Sequence, residues 1–233
     1  MIGGDGSAEE RDNISFPPLK STPHIAGKRR DGPEQPGLQS FSRPELALTQ
    51  SLQFLASDDW ERKVDGLSFI RRLSQHHPVI LISRLHDVSL ALVQEVKNLR
   101  SAVSRMAVVC LGDVFTFLKR RMDPELGNTV KVLLEKAGES NTFIRQSVDS
   151  TLDCMVQSCT PARAVNALLN GGLSHLNSRV RACMAHHLAD LVERMGAHNL
   201  PRDITNRILP AATRLAQDAS QETRYKLALF LDG

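Results

Sequence analysis

Aromatic side chains are scarce in this sequence: Phe, Trp and Tyr together make up 4% of its 233 residues, with one Trp and one Tyr. A β-sandwich builds its core from aromatic and β-branched residues. An apolar set dominated by Leu, Val and Ala favours helix-on-helix packing instead. Net charge is also small, +3 from 29 basic and 26 acidic residues. That balance is not the composition of a nucleic-acid-binding protein, although a local basic stripe can still meet an acidic partner. Cysteine is limited to Cys110, Cys154, Cys159 and Cys183, and no CxxC spacing occurs. The pattern suits reduced, packed thiols in the cytosol rather than a disulfide framework. No apolar run is expected to reach the length of a membrane span, and the opening MIGGDGSAEERDN lacks the basic flank and apolar stretch of a secretory signal. The expectation is a soluble, intracellular protein with no membrane partner.

Apolar content is ordinary at 41%, enough for a substantial core, but it is unevenly placed. Residues 1–43 hold five Pro and six Gly, with six basic and six acidic side chains. Such a segment cannot bury enough surface to offset its ordering entropy, so a disordered lead is expected there. Lys28-Arg29-Arg30 within it is a solvated charge run. From Pro44 onward apolar residues recur at helical spacing, beginning with Leu48, Leu52 and Leu55.

The helical part repeats. Arg62, Val103, Ile144, Val180 and Thr223 fall in one column, spaced 41, 41, 36 and 43 residues apart. Eight positions on stand Ile70, Leu111, Leu152, Leu188 and Leu231; three further on stand Leu73, Val114, Met155 and Leu191. Next to the first column a basic residue recurs at Lys63, Arg145, Arg181 and Arg224, with Ser104 the exception. A period near forty residues carrying two helices defines HEAT or armadillo units. The pairs are expected at 44–56 with 60–76, 84–97 with 101–120, 124–138 with 142–159, 161–172 with 178–196, and 202–217 with 221–231. Pro78, Pro124, Pro161 and Pro201 fall at or near outer-helix starts, where the missing N–H costs little, and Pro210 is expected to interrupt the last outer helix. The fold class is therefore all-α, a HEAT-repeat α-solenoid over 44–233, stabilised by stacking of neighbouring pairs.

In a solenoid the short breaks between paired helices line up along one edge, where polar groups are exposed. Ser101, Thr142 and Ser178 open three inner helices and are expected to cap them through their hydroxyls. The first repeat carries Trp60 at that position. A lone tryptophan in a polar column is either an end cap folded onto Val64 or an exposed anchor for a protein partner.

Ser57-Asp58-Asp59-Trp60-Glu61-Arg62-Lys63 followed by Gly66-Leu67 resembles the opening repeat of TOG domains, the tubulin-binding HEAT modules. The stretches 93–101 and 136–145, with Thr160-Pro161-Ala162-Arg163-Ala164, look like the CLASP-related branch and its crescerin members, the TOG-array regulators of axonemal microtubules. The resemblance covers residues 44–233. It implies a paddle whose intra-repeat loops grip αβ-tubulin or microtubules as a monomeric module of the cytoplasm, cytoskeleton and cilium axoneme. By position it nominates Trp60, Lys97, Arg100, Ser101, Asn141, Thr142, Asn177 and Arg179 as tubulin-binding residues. TOG domains usually hold six repeats, whereas this chain reaches the inner helix of a fifth. The expectation is a fragment or truncated form whose last loop, Ser220 and Gln221, stays outside the site.

No catalytic chemistry competes with this reading. Gly171-Gly172 is expected to stop a helix, no strand or Walker pattern precedes it, and neither GxSxG nor HExxH occurs. A solenoid edge also rarely closes a pocket, so neither an enzyme nor a cofactor is expected. Cys183, His186 and His187 could offer two metal ligands from one helix, but a structural zinc needs four and no second pair stands out. A packed thiol and no metal is the expectation. Two other binding classes stay open: a scaffold holding a protein in its concave face, and a nucleic-acid-binding repeat, which the balanced charge disfavours.

Overall fold

The computed structural model describes residues 40–196 and 199–225. Among them are ten α-helices and no strand: α1 (Pro44–Leu55), α2 (Trp60–His76), α3 (Pro78–Ser83), α4 (Leu85–Val96), α5 (Ser101–Leu118), α6 (Leu126–Ala137), α7 (Thr142–Ser158), α8 (Pro161–Gly172), α9 (Ser178–Met195) and α10 (Arg202–Ala216). Residues 221–225 are again helical. The expected pairs are therefore α1/α2, α4/α5, α6/α7, α8/α9 and α10 with 221–225. Most of the lead expected over 1–43, and Leu231 of the second column, lie outside the described residues.

The helices form two layers. In one, α2, α5, α7 and α9 pack in succession; in the other, α1, α4, α6, α8 and α10 do the same. The columns explain the stacking, because Ile70, Leu111, Leu152 and Leu188 are buried, as are Leu73, Val114, Met155 and Leu191. Val103, Ile144, Val180 and Thr223 are buried as well. Arg62, their counterpart in the first repeat, is instead exposed and lies 3.9 Å from Asp59. Glycine admits the closest approaches. A Cβ on Gly66 would stand 2.9 Å from the Ser51 carbonyl oxygen of α1.

Several local expectations are corrected. α8 ends at Gly172, as expected, but the glycine has a second role: a Cβ there would fall 2.5 Å from Met184 Cβ, so it lets α9 approach. Pro210 does not interrupt α10. Its ring is exposed, and one helix bond is forgone on a face that water reaches. Pro124 lies in a 3-10 segment, Lys119–Glu125, which follows the turn at Lys119 with φ +52°. Pro78 starts a separate short helix, α3, and Arg84 breaks it from α4. Residues 40–43, assigned to the lead on composition, pack: the Phe41 ring lies 5.1 Å from that of Phe69, under the Arg72 guanidinium at 3.9 Å. Finally, Ser101–Ala137 contains an 18-residue window of mean hydropathy 1.5, long and apolar enough to cross a membrane by composition alone. More than half of that window is buried here, since α5 packs between α2 and α7.

The corners between repeats are closed by side chains. Asp123 accepts the backbone N–H of Thr160 at 3.0 Å and its hydroxyl at 2.5 Å. Pro161 then opens α8 at the first turn.

Candidate functional site

The geometry of the loop edge follows from two recurring devices. The first is capping. Asp59, Asn141 and Asn177 have extended backbone, and their side-chain oxygens accept the N–H of Glu61, of Phe143 and Ile144, and of Arg179. The expected hydroxyl caps are thus displaced by one position, and Ser101, Thr142 and Ser178 are the first helical residues. A short amide or carboxylate one residue earlier reaches the unpaired donors of the first turn, while α5 has no side-chain cap bond.

The second device is the basic column. Arg145 donates through Nη1 to the carbonyls of Glu139 (2.8 Å) and Ser140 (2.6 Å). Arg181 does the same to His175 and Leu176, and Arg224 to Asp218 and Ala219. Lys63 reaches the Leu55 carbonyl at 2.6 Å, and Ser104, the exception in sequence, reaches the Val96 carbonyl at 2.6 Å. Lys63 and Ser104 thus satisfy the last carbonyl of their own outer helix, and the three arginines satisfy carbonyls of the loop itself, fixing its path.

Neighbouring loops are tied in turn. Lys63 also bonds the buried Glu95 carboxylate, whose second oxygen accepts from Asn98 at 2.8 Å. Asn177 Nδ2 donates to the Gly138 carbonyl at 3.2 Å. Arg181 grips Asp218 through two bonds of 2.6 and 2.9 Å. These ties join the first loop to the second, the third to the fourth and the fourth to the fifth.

On that frame Trp60 follows its Asp59 cap and is 37% exposed. The Arg100 guanidinium of the second loop stands over its ring, 5.5 Å from the centroid, a cation–π arrangement bridging the first two repeats. Lys97, Ser101 and Asn141 line one cleft between the second and third loops, of about 220 Å³, with Leu99 and Lys136. Thr142 is exposed, and its hydroxyl accepts from Arg145 Nη2 at 3.1 Å. Arg179 is exposed beside Arg145 at the next cleft, whereas Asn177 is half-buried and engaged in capping and inter-loop bonding. Trp60 and Arg100 are thus in contact, Lys97, Ser101 and Asn141 share a cleft, and Arg179 stands apart from both groups.

The edge is less polar than its sequence suggested. Leu99 and Leu176 are fully or almost fully exposed, and Phe143 is 66% exposed, with Arg105 5.8 Å from its ring centroid. A single apolar residue inside a break of two to four polar ones has no core to enter, and that signal could have found Leu99 and Leu176. Together with Trp60 they set one exposed apolar side chain in each of the first four loops.

Stacked helix pairs, with cap-and-clamp loops that present one exposed apolar residue in each of the first four, define a HEAT-type solenoid. Residues 49–227 match the family described as CLASP N terminal, and the chain belongs to it. It is 56% identical over 199 residues to mouse TOG array regulator of axonemal microtubules protein 1, covering 83% of this chain and 11% of that protein. To Crescerin-like protein che-12 of Caenorhabditis elegans it is 32% identical over 182 residues, 77% of this chain and 14% of that one. The chain thus spans little more than a tenth of the curated relatives it matches. A solved structure described as "TOG-tubulin binding specificity promotes microtubule dynamics and mitotic spindle formation" superposes with a TM-score of 0.61 at 18% identity, over 81% of this chain and 80% of that one. The shared feature at that identity is the fold.

Proposed function

We propose that this chain is a tubulin-binding module that engages αβ-tubulin or the microtubule through its intra-repeat loops, and regulates microtubule dynamics in the cytoskeleton and the cilium axoneme. The carrying observation is the Trp60–Arg100 pair, an aromatic surface held half-exposed by a cation on the loop edge. Lys97, Arg100 and Arg179 place positive charge along that edge, and Leu99, Phe143 and Leu176 add apolar contact. This combination suits an acidic protein surface with apolar pockets. The relatives' names supply the partner: a TOG array acting on axonemal microtubules and a structure of TOG–tubulin binding.

The test is tubulin affinity, by size-exclusion co-elution and sedimentation, for wild type and Trp60→Ala. The expected loss is about 2 kcal/mol, roughly thirtyfold in affinity, with melting unchanged within a few degrees. Undiminished binding in a normally folded Trp60→Ala would move the site to the concave face. A collapsed melting temperature would make Trp60 a packing residue.

A further inference from the structure

The cluster between α7 and α9 has no part in the loop edge. His187 is fully buried, and neither ring nitrogen makes a hydrogen bond of ordinary geometry. Each nevertheless faces a carboxylate: Nε2 is 3.6 Å from Asp149 Oδ1, and Nδ1 is 3.4 Å from Asp153 Oδ1, with Asp190 at 3.9 Å. One turn before His187, Cys183 places its sulfur 3.6 Å from the same Asp149 oxygen. Cys183 Sγ, His187 Nε2 and Asp149 Oδ1 form a set in which no two atoms are more than 4.8 Å apart.

The geometry points to a divalent-metal site of the zinc type, with Cys183 Sγ, His187 Nε2 and Asp149 Oδ1 as ligands and solvent at the fourth position. Tetrahedral zinc with bonds of about 2.0–2.3 Å sets its ligand atoms about 3.4–3.6 Å apart. The separations of 3.6 Å from nitrogen to oxygen and 3.6 Å from sulfur to oxygen need almost no adjustment. A thiolate, imidazole and carboxylate set selects a borderline-soft ion over calcium or magnesium. The second shell is also present. Asp153 faces Nδ1 and would accept its N–H, the carboxylate–histidine–metal arrangement that fixes the ring and its tautomer. Two of the three ligands, Cys183 and Asp149, border a cleft of about 210 Å³ shared with Arg145, Arg179, His186 and Glu222, through which solvent would reach the fourth position. Arg145 points its guanidinium to the loop carbonyls of Glu139 and Ser140.

Binding displaces the Cys183 thiol proton and any proton on Nε2, both of which pass to solvent, while Nδ1 keeps its proton toward Asp153. The ion would join the inner helices of the third and fourth repeats, one turn below Arg179. Sequence alone offered Cys183 and His187 from one helix; the third ligand comes from a helix one repeat earlier, and only stacking shows it.

The experiment titrates cobalt(II) into the full chain, stripped with chelator and kept reduced. Expected are one equivalent of cobalt, a thiolate-to-cobalt charge-transfer band in the near ultraviolet, tetrahedral bands in the visible, and their loss when zinc is added. Cys183→Ser should abolish the charge-transfer band. Asp149→Asn should weaken binding at least tenfold, and Asp153→Asn about 10–100-fold. Because the Asp149 side chain is half exposed, its variant carries the test even where Cys183→Ser fails to fold. Absence of cobalt spectra in the wild type, or unchanged spectra in Asp149→Asn, overturns the proposal and leaves His187 as a buried side chain packed between the Asp149 and Asp153 carboxylates.

Discussion

At the scale of the residue, the basic column decides how rigid the edge is. Arg181 combines three roles that lysine cannot reproduce: two bonds to its own loop's carbonyls and a forked grip on Asp218 of the next loop. Asp218 is nearly buried, and the Arg181 hydrogen bond holds its carboxyl below the usual range against the opposing effect of burial, aided by the Ser220 backbone N–H. Its folded pKa therefore lies below its unfolded one. The stabilisation is complete above the unfolded carboxylate pKa, about 4, and fades as pH falls through the lowered folded value. Arg181→Lys should lower stability by about 1.5–3 kcal/mol in urea unfolding at neutral pH. Asp218→Asn should show a deficit that is constant near neutrality and closes below about pH 4. A deficit that persists unchanged at lower pH would mean that the pair contributes by shape alone.

At the scale of the element, the fit between helices depends on absent side chains as much as on present ones. Gly172→Ala should destabilise the fourth repeat, because Met184 on α9 must give way to a methyl group arriving at 2.5 Å. Overpacking of this kind costs about 1–3 kcal/mol, read as a shifted urea midpoint with an unchanged slope. Leu111→Ala, Leu152→Ala and Leu188→Ala should each cost about 2–5 kcal/mol through lost burial and a cavity. Midpoints unmoved in all three would mean that the columns do not form the core. The columns were legible because burial leaves a period in the sequence: one face of each inner helix must be apolar in every repeat. The role of Gly172 was not, since a glycine near a helix end has the same local pattern whether it ends the helix or admits a neighbour. The same ambiguity moved the caps from Thr142 and Ser178 to Asn141 and Asn177, while α5, which Ser101 opens, has no side-chain cap bond. The positions of Trp60 and Arg100 at the breaks were legible through the repeat, whereas Lys97 was nominated by the family resemblance. The Glu95–Lys63 and Arg181–Asp218 ties were not, because they join residues more than thirty positions apart whose spacing is set by stacking.

At the scale of the whole molecule, side chains tie the first loop to the second, the third to the fourth and the fourth to the fifth, and this should give the edge a measurable pattern of coupling. Trp60 and Arg100 touch, so removing either leaves the other without its partner: Arg100 loses the ring face, and Trp60 loses the cation that lies over it. Arg179 stands two loops beyond Arg100 and does not share a described contact with Trp60. In a double-mutant cycle on tubulin affinity, Trp60→Ala with Arg100→Ala should be non-additive by about 0.5 kcal/mol or more, whereas Trp60→Ala with Arg179→Ala should add within about 0.5 kcal/mol. Salt should separate the two arginines from the aromatic. Arg179→Ala should reduce the dependence of affinity on ionic strength, because an exposed rim charge acts through the screened field. Trp60→Ala should leave that dependence nearly unchanged while lowering affinity at every salt concentration, since apolar contact is not screened. Equal coupling in both cycles would mean that binding reshapes the entire edge. A Trp60→Ala variant that loses its salt dependence would mean that the tryptophan serves chiefly to position Arg100.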